Sequence, residues 1–81
     1  MKYYVVSYGV CGYLPNAEPE YYDTKEQAIA AVKALRQQYI REWNTPVHWI
    51  KGRATEGGYT VHMPGNQLDE YIEWMELEDE S

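Results

Sequence analysis

TKEQAIAAVKALRQQYIREW, residues 24–43, is the stretch on which the architecture of this 81-residue chain turns. Thr24 followed three residues later by Gln27 is a capping-box pattern, in which hydroxyl and amide satisfy each other's backbone N–H groups. Ala28, Val32, Leu35, Tyr39 and Trp43 then recur at spacings of four, three, four and four, so they share one helical face, flanked by Ile29 and Ile40. Ala30, Ala31 and Ala34 raise helix propensity. Asn44 and Pro46 stop the run. The pattern predicts one helix over about 25–43.

On either side of the helix the periodicity changes. KYYVVSY, residues 2–8, is rich in aromatic and β-branched types and predicts a strand with apolar character on both faces, hence an interior strand. Gly9 and Gly12 permit a bend, Leu14-Pro15-Asn16 signals a turn, and Pro19 restricts the next residues to an edge strand or loop. A short strand is expected at 20–22. After the helix, 47–54 reads as a strand and 59–63 as its partner across the turn signal Glu56-Gly57-Gly58. Pro64, Gly65 and Asn66 turn the chain again.

LDEYIEWMELEDES, residues 68–81, admits two readings. As a helix capped by Asn66, it puts Leu68, Tyr71, Ile72 and Met75 on one face. It also aligns Asp69, Glu73, Glu76 and Glu80 at repelling spacings and crowds acids at the negative end of the helix dipole. As a strand, it puts Ile72 and Trp74 on one side and Met75 and Leu77 on the other, and avoids both penalties. We take the strand over about 70–77, with an acidic end over about 76–81. The expected fold is a single small α+β domain spanning residues 1–81. One long helix packs on an antiparallel or mixed sheet of three to five strands.

Composition is that of a folded chain: 44% apolar, nine Tyr, three Trp and no Phe. Almost every large ring therefore carries a polar handle, which suits half-buried positions and interfaces. Residues 1–53 hold seven bases and five acids, whereas residues 54–81 hold eight acids and no Lys or Arg. The net charge of −6 argues against direct binding to nucleic acid or an anionic membrane. No apolar run approaches the roughly 20 residues that span a bilayer. The N-terminus lacks a signal-peptide core, and Cys11 is the only cysteine. A soluble cytoplasmic protein is the expectation.

Chemistry-bearing motifs are sparse. Cys11, His48 and His62 are the candidate soft or imidazole ligands, at spacings that match no compact metal motif, so no metal site is expected. The same residues contain a conceivable Cys–His nucleophile pair, without a marked oxyanion hole. Neither Gly9-Val10-Cys11-Gly12 nor Gly57-Gly58 is a phosphate loop, and no cofactor is expected. Lys25, Lys33, Arg36 and Arg41 scatter around the exposed side of the helix rather than forming a stripe.

Two features remain: the tyrosines at 3, 4, 8, 13, 21 and 22, and the acidity of the last segment. Aromatic anchors beside a charged rim are what protein-binding surfaces use. The candidate partner-binding residues are Asp69, Glu70, Tyr71, Glu73, Trp74, Glu76, Glu78, Asp79 and Glu80, with Tyr71 and Trp74 as apolar anchors. In a strand, Glu76, Glu78 and Glu80 point the same way at intervals of roughly 7 Å. That is of the order of the phosphate spacing in a nucleic-acid strand, so the run suits a basic groove that holds DNA or RNA.

In size, acidity, aromatic richness and simple α+β plan the chain resembles small single-domain phage proteins, especially anti-CRISPR inhibitors. The resemblance implies a non-enzymatic, sterically acting inhibitor that works in the cytoplasm of a host cell. Its target would be a protein with a basic surface, such as a nucleic-acid-handling complex. It transfers no site residues. The alternatives are a small structural protein that self-associates, for instance as a homodimer, through exposed aromatic strands, and a small enzyme that uses Cys11.

Overall fold

The computed structural model of the chain describes residues 1–65 and 68–79. The one α-helix among these residues, α1, runs Lys25–Glu42. The capping box is complete: the Gln27 N–H donates to Thr24 Oγ1 (3.2 Å), and the Thr24 N–H donates to Gln27 Oε1 (3.2 Å). At the other end Asn44 takes a positive φ of 51°, and the Thr45 N–H reaches back to the Tyr39 carbonyl. Pro46 then prevents the helix from resuming.

Five strands form one antiparallel sheet: β1 (Lys2–Val10), β2 (Glu20–Tyr22), β3 (Ile50–Arg53), β4 (Gly58–Val61) and β5 (Glu70–Glu78). Their order across the sheet is β2-β1-β5-β4-β3. The expected α+β architecture, one helix on a sheet of three to five strands, is present with all five. β1 is interior, as its two-sided apolar character requires. β2 is an edge, where Pro19 just before it costs no ladder bond. β5, the last strand, is the central one and pairs with β1 along its whole length.

The boundaries of β3 and β4 differ from expectation, and β4, expected over 59–63, runs Gly58–Val61. The strand expected over 47–54 is only Ile50–Arg53, because the segment after Pro46 first winds through a single 3-10 turn, Val47–Trp49. The hairpin back into β4 contains a second such turn, Ala54–Glu56, which ends at Gly57 in a left-handed conformation. Asn66, assigned to a turn from the sequence, lies outside the described residues.

The helix lies over one face of the sheet. Ala28, Val32 and Tyr39 from α1 meet Tyr4 and Val6 of β1, Ile50 of β3, Val61 of β4 and Ile72 of β5, with Ala54 closing one end. Trp43 joins from the helix terminus, its ring centroid 4.3 Å from that of Tyr39, although it stays partly exposed. Two helix bases on the solvated side also approach rings at the rim, Lys25 while exposed and Arg36 while half-buried. Lys25 Nζ is 5.5 Å from the Trp74 ring centroid, and Arg36 Cζ is 5.6 Å from that of Tyr59. No helix among the described residues is long and apolar enough to cross a membrane.

Candidate functional site

The acidic run is split by the pleat. Successive residues of a strand face opposite sides of the sheet, so Glu70, Ile72, Trp74, Glu76 and Glu78 face the helix side. Tyr71, Glu73, Met75 and Leu77 face the other. The register agrees: Ile72 lies opposite Tyr8, Trp74 opposite Val6, and Glu76 opposite Tyr4.

Much of the helix-side set is engaged within the fold. Tyr39, fully buried, donates its hydroxyl to Glu70 Oε1 (2.8 Å). Tyr4 donates to Glu76 Oε1 (3.1 Å), and Lys2 Nζ approaches Glu76 Oε2 (3.8 Å). Burial first, and the carboxylate partner second, push both tyrosine hydroxyls above their ordinary pKa. Trp74 is half-buried. Its indole N–H donates to the Ala54 carbonyl (2.6 Å), and its ring meets the Tyr4 ring edge-on at 6.0 Å. Trp74, expected as an apolar anchor, thus spends its indole N–H and part of its ring on contacts within the fold. Asp69 stands just before β5 and faces His62, Oδ1 to Nδ1 3.3 Å. The Asp79 N–H donates to the Met1 carbonyl (2.8 Å). Glu80 lies outside the described residues.

Among the described residues no helix covers the opposite face of the sheet. There the register sets Tyr21, Val5 and Met75 side by side on three adjacent strands, with Tyr3 and Leu77 in the next row. The rings of Tyr3 and Tyr21 lie 6.0 Å apart. Tyr21 and Met75 are 66% and 52% exposed, far more than a packed core permits. This apolar ridge ends at the row Ser7, Glu73, Gly58, Arg53; Tyr71 and Lys51 stand in the row beyond. A shallow depression lies between Lys51, Thr60, Tyr71 and Glu73. The ridge is not singled out by any sequence motif, yet its signal is present there. β1 and β5 are apolar on both faces, and one helix covers only one.

The strand arrangement brings part of the Cys11, His48 and His62 set together. His48 and His62 line one shallow concavity with Trp49, Lys51, Thr60 and Asp69. Cys11 reaches this end through its backbone, its N–H donating to the Asp69 carbonyl (2.9 Å), and its thiol is half-buried. Among the described residues no three His, Cys, Asp or Glu side chains converge in a way that would hold a metal ion.

Fold and surface together define an α+β protein with one helix over an antiparallel sheet whose second face no other described element covers. No family model, curated protein or solved structure matches the chain.

Proposed function

We propose that this protein is a non-enzymatic protein-binding module that engages its partner through the bare face of β1 and β5. The ridge of Tyr3, Val5, Tyr21, Met75 and Leu77 carries the proposal, because no described element of the chain covers it. Contiguous exposed apolar surface of this kind marks interaction sites. Tyr and Met are favoured at such surfaces because they bring large contact area with adaptable packing. Glu73, Glu78 and Asp79 stand along the same strand and its end. They supply a negative rim that selects a partner with basic charge around an apolar patch.

A nucleic-acid-handling protein or complex has such a surface. The resemblance to small acidic phage inhibitors, including anti-CRISPR proteins, points to occlusion of that surface in the cytoplasm of a host cell. Glu76 already carries Lys2 and Tyr4. The acids therefore act as a specificity rim to an apolar contact, more than as a free-standing row of phosphate mimics.

The test is capture from bacterial lysate at low and high salt with three forms of the protein: native, a rim variant (Glu73→Gln, Glu78→Gln, Asp79→Asn) and a ridge variant (Met75→Ser, Tyr21→Ser). The expected result is a basic, nucleic-acid-handling partner held by the native form. It is lost with the ridge variant, and weakened by the rim variant and by salt. Retention by both variants would remove β5 and the ridge from the interface.

A further inference from the structure

β5 is central in the sheet for only half its length. β1 runs beside it from Glu70 to Glu78, but β4 pairs only with Glu70, Tyr71, Ile72 and Glu73. The chain then leaves the β4 side at Gly57, whose carbonyl accepts the Trp74 N–H (3.0 Å). Beyond that bond no described strand lies along residues 75–78 on this side.

In an antiparallel ladder, backbone groups alternate between the two neighbouring strands. Asp79 and Met1 exchange both their N–H···O=C bonds, and the Cys11 N–H donates to the Asp69 carbonyl. Odd-numbered residues of this segment therefore turn their N–H and C=O toward β1. Even-numbered residues turn theirs the other way, as the Trp74 N–H confirms. The N–H and C=O groups of Glu76 and Glu78 thus lie along an open edge.

We propose that this edge accepts an extended segment of another protein as an added antiparallel strand, in which basic and apolar residues alternate. The inference rests on the reading of β5 as the partner-binding element, and it specifies how the partner is read. Main-chain bonds to Glu76 and Glu78 hold the incoming strand, and its alternate side chains meet the two faces. Residues directly opposite Glu76 and Glu78 fall on the carboxylate side, where Lys or Arg is complementary. Residues opposite Met75 and Leu77 fall on the bare face, where apolar side chains extend the ridge. The open stretch takes four or five residues, about 17 Å of strand at ~3.4 Å per residue. A second copy of this chain does not suit the edge, since antiparallel pairing of β5 with itself sets glutamates against glutamates.

The experiment uses the full chain and three capped eight-residue peptides of alternating Val and Lys. One is unmodified, one is N-methylated at every Lys, and one is N-methylated at every Val. In the proposed pairing the Lys amides bond to β5 and the Val amides face away. The Val-methylated peptide is therefore expected to bind at least about tenfold more tightly than the Lys-methylated one. Binding should weaken with salt and slow hydrogen exchange at the Glu76 and Glu78 amides. Equal binding of both methylated peptides would overturn strand addition while leaving an acidic binding surface in place. No binding of any peptide at low salt would overturn the edge proposal outright. The bare-face reading is judged separately, because Met75→Ser and Tyr21→Ser leave the Glu76 and Glu78 edge groups intact.

Discussion

At the scale of single residues, hydroxyl–carboxylate pairs decide what the acids of β5 are for. Tyr39 is wholly buried except for the bond from its hydroxyl to Glu70, so the ring fills the core while the oxygen ties α1 to β5. Tyr39→Phe keeps the ring and strands the carboxylate. The expected cost is about 1.5–3 kcal/mol in urea unfolding at neutral pH, the range for a hydrogen bond to a charged acceptor. The same residue sets a pH dependence. Its hydroxyl titrates above the ordinary tyrosine value when folded, so the unfolded chain loses this proton first. The contribution is complete below about pH 10 and declines above it, by up to ~1.4 kcal/mol per pH unit. Unfolding followed from pH 8 to 11 should show the native protein losing stability more steeply than Tyr39→Phe, with the two curves converging. Tyr4 and Tyr22, also raised, steepen both alike. Parallel curves would mean that the buried hydroxyl does not titrate as described. Gly58 makes a different demand. It has φ of 127°, and a Cβ there would run into the Ile72 carbonyl oxygen, whereas Gly57, at φ of 104°, has open space around the same position. Gly57→Ala should therefore cost only the left-handed backbone penalty, roughly 1–2 kcal/mol. Gly58→Ala should cost more than about 3 kcal/mol, because β4 must also move off β5. Comparable melting temperatures for the two variants would contradict that.

At the scale of elements, β5 behaves as two half-strands. Among the described residues, its first half is paired on both sides and its second half on one side only. Amide exchange should show this as alternation. Met75 and Leu77, whose N–H groups point to β1, should exchange on the order of 10²-fold more slowly than Glu76 and Glu78, whose N–H groups point to the open edge. Uniform protection over 75–78 would mean that another part of the chain lies along that edge. The elements differ in how plainly the sequence announces them. α1 is legible to within a residue, because its capping box, its apolar spacing and the Asn44 and Pro46 stop all act locally. β3 is shorter than its composition suggests, since 47–54 is strand-like throughout but Pro46 starts a 3-10 turn that uses up its first three residues. β5 is ambiguous because seven acids in fourteen residues burden any regular structure. The strand relieves that burden by sending Glu73 to the face opposite Glu70, Glu76 and Glu78, and by giving Glu70 and Glu76 tyrosine donors. Those donors come from Tyr39 and Tyr4, 31 and 72 residues away, and nothing in the local sequence signals them.

At the scale of the whole molecule, the strand order β2-β1-β5-β4-β3 turns a lopsided charge distribution into a surface. Pairing between the first and last strands leaves no mark in either, so in the sequence the tyrosines of β1 and the acids of β5 stand as two separate features. The sheet makes them neighbours: one face of the β1–β5 pair is the bare apolar ridge, and the open edge of β5 bears glutamates. Unpaired edges invite self-pairing, and inward or flanking charges are a usual defence. Here that defence has a definite geometry. Any antiparallel pairing of two β5 edges uses the even-numbered residues of both copies, so Glu76 and Glu78 meet their own kind, each facing pair costing up to about 1 kcal/mol. Replacing Glu78 removes that opposition in the registers that set position 78 against itself or against Glu76, without touching the Tyr4 and Lys2 contacts of Glu76. Glu78→Val should therefore associate in a concentration-dependent way at protein concentrations where the native chain keeps a constant mass, as read by sedimentation or light scattering. Glu78→Lys should associate as well, since the register that sets position 78 against Glu76 of the other copy then exchanges a like-charge pair for an opposite-charge one. If Glu78→Val and the native chain sediment identically up to millimolar concentration, the open edge is not a pairing surface, and the bare face alone is left to hold a partner.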